Sequence, residues 1–158
     1  MRINLLTVGK TDIAWVRTGL DTYVSRICRY MPFSLVEIPE LRNTASLGRE
    51  QIKAREGELL LKHVRPSDFV VLLDERGRKF RSVEFAAWLQ DRMSHSAGAD
   101  MVFVIGGAYG FSPEVYGRAD AKMSLSDMTF SHQMVRTIFA EQLYRAFTII
   151  RGEPYHHE

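Results

Sequence analysis

Two uninterrupted apolar runs, Phe69–Leu73 and Met101–Ile105, constrain this chain more than any other feature. A strand with one face in water alternates apolar and polar residues. A run apolar at every position suits a strand covered on both faces, as in a parallel sheet between helices. Between the runs, Val83, Ala86, Ala87, Leu89 and Met93 recur at helical spacing, with Ser82 as N-cap and Glu84 in the first turn. The alternation extends in both directions. Ile3–Val8 reads as a strand closed by Gly9, Trp15 to Ile27 as a helix, Phe33–Ile38 as a strand stopped by Pro39, and Leu47–Lys62 as a polar-rich helix. Ser112-Pro113-Glu114 reads as an N-cap, a first-position proline and a first-turn acid. Ala121–Leu125 follows as a strand and about Gln133–Ile150 as a long helix. The expected fold is α/β, a parallel sheet with helices on both faces, formed by residues 1–158 as one domain.

Composition removes several function classes. No apolar run approaches the roughly 18–20 residues that span a bilayer. Met1–Val8 lacks the cleavage site of a signal peptide, so no membrane partner and a cytoplasmic location are expected. Cys28 is the one cysteine, which allows no intrachain disulfide, and its helical setting suggests a small, buried or half-buried residue. No His-Glu-x-x-His, paired-cysteine or carboxylate cluster occurs, so no metal is expected, and no Gly-x-Ser-x-Gly elbow occurs either. The net charge is only +2, but cations cluster locally. Arg76, Arg78, Lys79 and Arg81 lie in a charged loop, Asp74–Arg81, and Arg42, Arg49, Lys53 and Arg55 form a looser group. Such clusters neutralise RNA phosphates or simply solvate a face.

Ligands on parallel sheets bind beyond the carboxyl ends of the strands. The segments after Leu73, Ile105 and Leu125 are therefore the places for chemistry. Gly106-Gly107-Ala108-Tyr109-Gly110 removes side chains where a ligand approaches the backbone and permits positive φ angles; a tight turn without a ligand is the alternative. Ala108 breaks the dinucleotide spacing, and no Gly-Lys-Ser/Thr follows as in a P-loop. Ser126 to His132 mixes apolar and hydrogen-bonding residues before the last helix, with Thr129 or Ser131 as its N-cap. Its backbone groups suit an adenine edge. His132 and Arg136 share a helix face, and Tyr155, His156 and His157 close the chain near an aromatic and basic stretch, Tyr144-Arg145.

These segments together resemble the SPOUT methyltransferases. Val104 to Gly110 is similar to one cofactor loop of that family and Ser124 to Arg136 to the next. Glu141 to Ala146 and Pro154-Tyr155-His156 complete the pattern, and Leu6 to Lys10 and Glu37 to Pro39 fit it. Within the family the resemblance is to the branch that methylates N3 of a pseudouridine in large-subunit (23S) ribosomal RNA on assembled ribosomes. It implies a C-terminal trefoil knot, a homodimer whose sites are completed by the partner subunit, and S-adenosyl-L-methionine as cofactor. Carried over by position, the cofactor contacts are Leu73, Gly106, Leu125, Ser126, Asp127, Met128, Thr129 and Phe130. The family's usual proline is replaced here by Ser131, which frees the local loop geometry.

The chemistry so implied assigns four further residues. His132 and His156 are candidates for handling the N3 proton or orienting the base, Arg136 for stabilising charge on the base carbonyls, and Tyr155 for stacking on the base. Arg76, Arg78, Lys79 and Arg81 are expected to meet RNA phosphates. A non-enzymatic RNA- or nucleotide-binding module is the alternative to an enzyme. A nicotinamide oxidoreductase is a third reading, against which the broken glycine spacing argues.

Overall fold

The computed structural model describes residues 1–157. Five parallel strands form one sheet in the order β2-β1-β4-β3-β5, where β1 is Ile3–Val8, β2 Phe33–Ile38, β3 Phe69–Lys79, β4 Met101–Ile105 and β5 Ala121–Ser124. The two apolar runs are neighbours, with Phe69 opposite Met101 and Leu73 opposite Ile105. Their side chains alternate between two cores, as strand geometry requires. Val71, Met101, Phe103 and Ile105 point to one face, where they meet α1 (Ala14–Ile27), α3 (Ser82–Ser94) and α5 (Met134–Ile150). Val70, Leu72, Val102 and Val104 point to the other, towards α2 (Arg49–Leu61) and α4 (Pro113–Arg118). Every residue of β4 is buried. The expected sheet covered by helices on both faces is present.

Local signals mostly hold. Ser112 caps α4 by accepting a hydrogen bond from the Val115 N–H at 3.3 Å, with Pro113 at the first position. Ser131 Oγ accepts from the Met134 N–H at 3.1 Å, so this serine ties down the first residue of the last helix from three positions before it. Ser82 differs from expectation. It is the first residue of α3 rather than its cap, and its hydroxyl donates to Gln142 Oε1 at 3.1 Å across to α5. Glu84 instead reaches back to the Arg81 N–H at 2.8 Å. Cys28 is exposed, because α1 ends at Ile27 and the next residue turns out of the core. Trp15 is also 64% exposed despite its place in the apolar spacing of α1.

The largest departure concerns residues 74–81. They were expected to form a charged loop, but β3 runs on to Lys79. The strand pairs with β5 up to Leu73 opposite Met123, shifts register, and pairs again at Arg78 opposite Met123 and Lys79 opposite Ser124. Gly77 crosses directly over β5. A Cβ there would lie 2.5–2.6 Å from the backbone N, Cα and C of Met123. Only glycine permits that approach. Among the described residues no helix is long and apolar enough to cross a membrane, and no group of three or more His, Cys, Asp or Glu could hold a metal ion.

Candidate functional site

The carboxyl ends of β3, β4 and β5 open into a cleft of about 880 Å³. That size falls in the upper part of the roughly 300–1,000 Å³ range of small-molecule sites. Three chain segments build it. Leu73 ends the apolar part of β3 and forms one wall with Asp74. The glycine loop after β4 forms the second. Gly107 and Gly110 close a tight bridge, and Gly110 takes a φ of +84° to turn the chain back. Gly106 and Gly107 keep negative φ, so their use is small size rather than left-handed backbone.

The third wall is the segment after β5. Residues 125–130 belong to no helix or strand, so their backbone N–H and C=O groups are not committed to a ladder. Short-range bonds hold the segment in shape. Ser124 Oγ donates to the Ser126 carbonyl at 3.0 Å, and Ser126 Oγ accepts from the Met128 N–H at 2.9 Å. All eight residues expected to contact the cofactor line this one cleft: Leu73, Gly106, Leu125, Ser126, Asp127, Met128, Thr129 and Phe130. Across from them, the Tyr116 hydroxyl donates to Asp74 Oδ2 at 2.6 Å. Burial and the Asp74 carboxylate push the Tyr116 hydroxyl up to about 12, so it stays a neutral donor.

The residues expected to do chemistry separate into three groups. His132 is exposed and lines the cleft mouth. Arg136 does not line it. Its side chain is 1% exposed, and its donors are spent within the fold. Nε donates to the His132 carbonyl at 3.0 Å, one terminal nitrogen to the Gly9 carbonyl at 2.9 Å and Thr11 Oγ1 at 2.8 Å, and the other to the Val8 carbonyl at 2.8 Å. The guanidinium ties the end of β1 to the first turn of α5, which corrects its assignment to the base carbonyls. Burial lowers its proton affinity, opposed by Glu37, whose Oε2 lies 3.6 Å away.

Tyr155 and His156 lie elsewhere. The Tyr155 hydroxyl donates to Glu141 Oε1 at 3.2 Å, and its ring packs edge-on against Tyr144 with centroids 4.7 Å apart. Arg145 bonds Glu141 Oε1 at 2.6 Å, reaches His156 Nδ1 at 3.1 Å, and lies 4.8 Å from the Tyr155 ring centroid. Burial, a hydrogen bond with Tyr23 and the Glu141 carboxylate all hold the Tyr155 hydroxyl protonated. This ordered cluster includes Glu141 and Arg145, to which sequence reasoning gave no role. Their spacing of four on one helix was the available signal. Val135 lines the cleft and Arg145 stands in the cluster, so about 15 Å of helix separates the two.

The expected phosphate contacts also divide. Arg76 lines the cleft. Arg78 stacks 4.3 Å from the Phe80 ring centroid, and Lys79 pairs with Asp127 of the segment after β5. Arg81 is exposed just before α3.

Comparison with known proteins gives a consistent picture. The family model described as "Predicted SPOUT methyltransferase" matches residues 1–156. A protein of Phocaeicola vulgatus named "Ribosomal RNA large subunit methyltransferase H" is 53% identical over 158 residues, covering 100% of both chains. Proteins with the same name from Christiangramia forsetii, 53% identical over 157 residues and 99% of each chain, and Parabacteroides distasonis, 49% identical over 158 residues and 100% of each, are similar over the same span.

Proposed function

From the premise that the chain belongs to the SPOUT methyltransferase family, we propose that it methylates N3 of a pseudouridine in large-subunit (23S) ribosomal RNA, using S-adenosyl-L-methionine. The observation that carries this reading is the convergence of Leu73, Gly106 and residues 125–130 on one cleft at the strand ends. The cleft fits the cofactor on two counts. Its uncommitted backbone suits an adenine edge, and its volume leaves room for a base beside a nucleoside. When bound, S-adenosyl-L-methionine supplies an electrophilic methyl on a sulfonium.

The chain's own work is positioning and proton handling. Transfer forms the N3–C bond and breaks the C–S bond, with the electron pair leaving on sulfur. The neutral base must also give up its N3 proton. His132, which lines the cleft, is the residue to which we assign acceptance of that proton, directly or through a water. Walls that fix both reactants in line supply much of such a rate.

The cleft of one chain lacks Tyr155 and His156, which sit at the far end of α5. A second copy resolves this. Two copies of the 17-residue α5, about 25 Å long, packed antiparallel across a twofold axis, bring the tail of each chain to the cleft of the other. Ile13, Trp15 and Met134, exposed by 38%, 64% and 41% beside the paired starts of α1 and α5, offer that face an apolar surface. In that assembly the tail's Tyr155 stacks on the base and His156 orients it. The crossing of β3 over β5 at Gly77 supports the threaded, knotted chain implied by the family. Arg76, Arg78 and Arg81 are the cations we assign to RNA phosphates, with Lys79 sharing its charge with Asp127.

The test is labelled methyl transfer from S-adenosyl-L-methionine to intact ribosomes and to naked ribosomal RNA, followed by mapping of the modified base. Label at N3 of a pseudouridine is the expected result. No incorporation into either substrate overturns the reading.

A further inference from the structure

The looser basic group of the sequence, Arg42, Arg49, Lys53 and Arg55, has no part in the chemistry above. The structure brings two of its members to the cofactor cleft. Arg49 and Lys53, on the first turns of α2, line the cleft opposite the segment after β5. Lys53 shares its charge with Glu50 at 2.9 Å. Arg49 makes no ion pair among the described residues and instead places its guanidinium 5.2 Å from the Tyr109 ring centroid. Tyr109 belongs to the tight turn closed by Gly107 and Gly110, and its ring stays 45% exposed. Arg76 and Met128, the latter 78% exposed, line the same cleft from β3 and from the segment after β5.

A large ring held out on a glycine turn, with a planar cation against it, presents stacking surface to solvent. The segment after β5 already offers the backbone groups that suit the cofactor's adenine, which leaves this ring for an unpaired base. The neighbouring cations suit the phosphates on either side of such a base. We propose that Tyr109 and Arg49 form a clamp for a nucleotide of the RNA substrate adjacent to the target base. The base stacks on Tyr109, while Arg49 and Arg76 hold the flanking phosphates. The clamp deepens the methyltransferase reading and rests on its RNA substrate.

The test compares Arg49→Gln, Tyr109→Ala and Tyr109→Phe in the full chain. Cofactor affinity is read by calorimetry with S-adenosyl-L-methionine. Substrate affinity is read by co-sedimentation with large ribosomal subunits over a salt series, and turnover as KM and kcat. Arg49→Gln and Tyr109→Ala should weaken subunit binding and raise KM about tenfold, within the range measured for loss of one stacked base. Cofactor affinity should stay within about twofold. Tyr109→Phe should bind as the parent does. Arg49→Gln should also flatten the log–log salt dependence by about 0.7–0.9, the contribution of one phosphate contact. An equal fall in cofactor affinity would make this a cofactor contact and overturn the clamp, and so would unchanged subunit binding. A parent chain that binds subunits but transfers no methyl would sink the methyltransferase reading alone, leaving the clamp to be decided by the binding series.

Discussion

Arg136→Met is the substitution that best separates a structural from a catalytic role. Arg136 makes four hydrogen bonds, three of them to main-chain carbonyls of Val8, Gly9 and His132. Methionine fills much of the volume but donates nothing. The three carbonyls lose a charged donor, and Glu37 loses a cation 3.6 Å away. Removing one side of a buried, hydrogen-bonded charge network costs about 3–5 kcal/mol. At about 2–4 °C per kcal/mol for a domain of this size, Tm should fall by roughly 6–20 °C. Urea denaturation gives the free energy, and calorimetry with S-adenosyl-L-methionine, run well below the new Tm, gives the state of the cleft. Cofactor binding should weaken only modestly, because Arg136 is not itself in the cleft lining and reaches it only through the His132 carbonyl. If Arg136→Met instead unfolds within about 0.5 kcal/mol of the parent while kcat falls a hundredfold, the clamp on β1 is not its role. Its original assignment to the base would then stand.

Three other outcomes are expected. Gly77→Ala places a methyl inside the Met123 backbone, which cannot yield as a flexible side chain does. It should destabilise by about 2–4 kcal/mol and disturb the segment after β5, lowering cofactor affinity; unchanged urea midpoint and affinity would refute the crossing. Burial works to raise the proton affinity of Glu37, but its hydrogen bonds from Arg17 and Thr11 prevail and hold its pKa below the ordinary carboxylate value. The stability Glu37 contributes is therefore full above its unfolded pKa and lost as pH falls through the folded one, so Glu37→Gln should flatten the acid limb of a stability–pH curve, and an unaltered limb counts against it. Mixing chains that carry His156→Ala with chains that carry a cleft-blocking Gly106→Leu should restore about a quarter of parental turnover, because half the dimers are mixed and each holds one intact site. No recovery on mixing would place tail and cleft in the same chain.

What the sequence made legible follows from where side chains decide the structure. The runs Phe69–Leu73 and Met101–Ile105 announced themselves because strands buried on both faces must be apolar throughout. The segments that wall the cleft followed, since strand ends in a parallel sheet define it. Residues 74–79 were not legible. Their second pairing with β5 is made by backbone at the sheet edge, and a run of charged side chains carries no apolar pattern that would announce a strand. Arg136 could have been found. It falls on the same stripe as Phe139, Ala140, Leu143 and Ala146, all buried, so an arginine there had to be spent inside. The tail cluster needed the third dimension, because nothing in the spacing of Glu141 and Tyr155 sets them within hydrogen-bond reach.

The passage of residues 74–79 over β5 also bears on how the molecule comes apart. An ordinary edge strand peels away one residue at a time, from whichever end is pulled. Here β5 is pinned from above at Met123 by a segment anchored at both ends, in β3 and in α3. Traction on the C-terminus therefore cannot strip β5 and the segment after it off the sheet until that strap has been lifted. A protease that unfolds its substrates from the C-terminus would meet its resistance at this crossing, after α5 had already been drawn out.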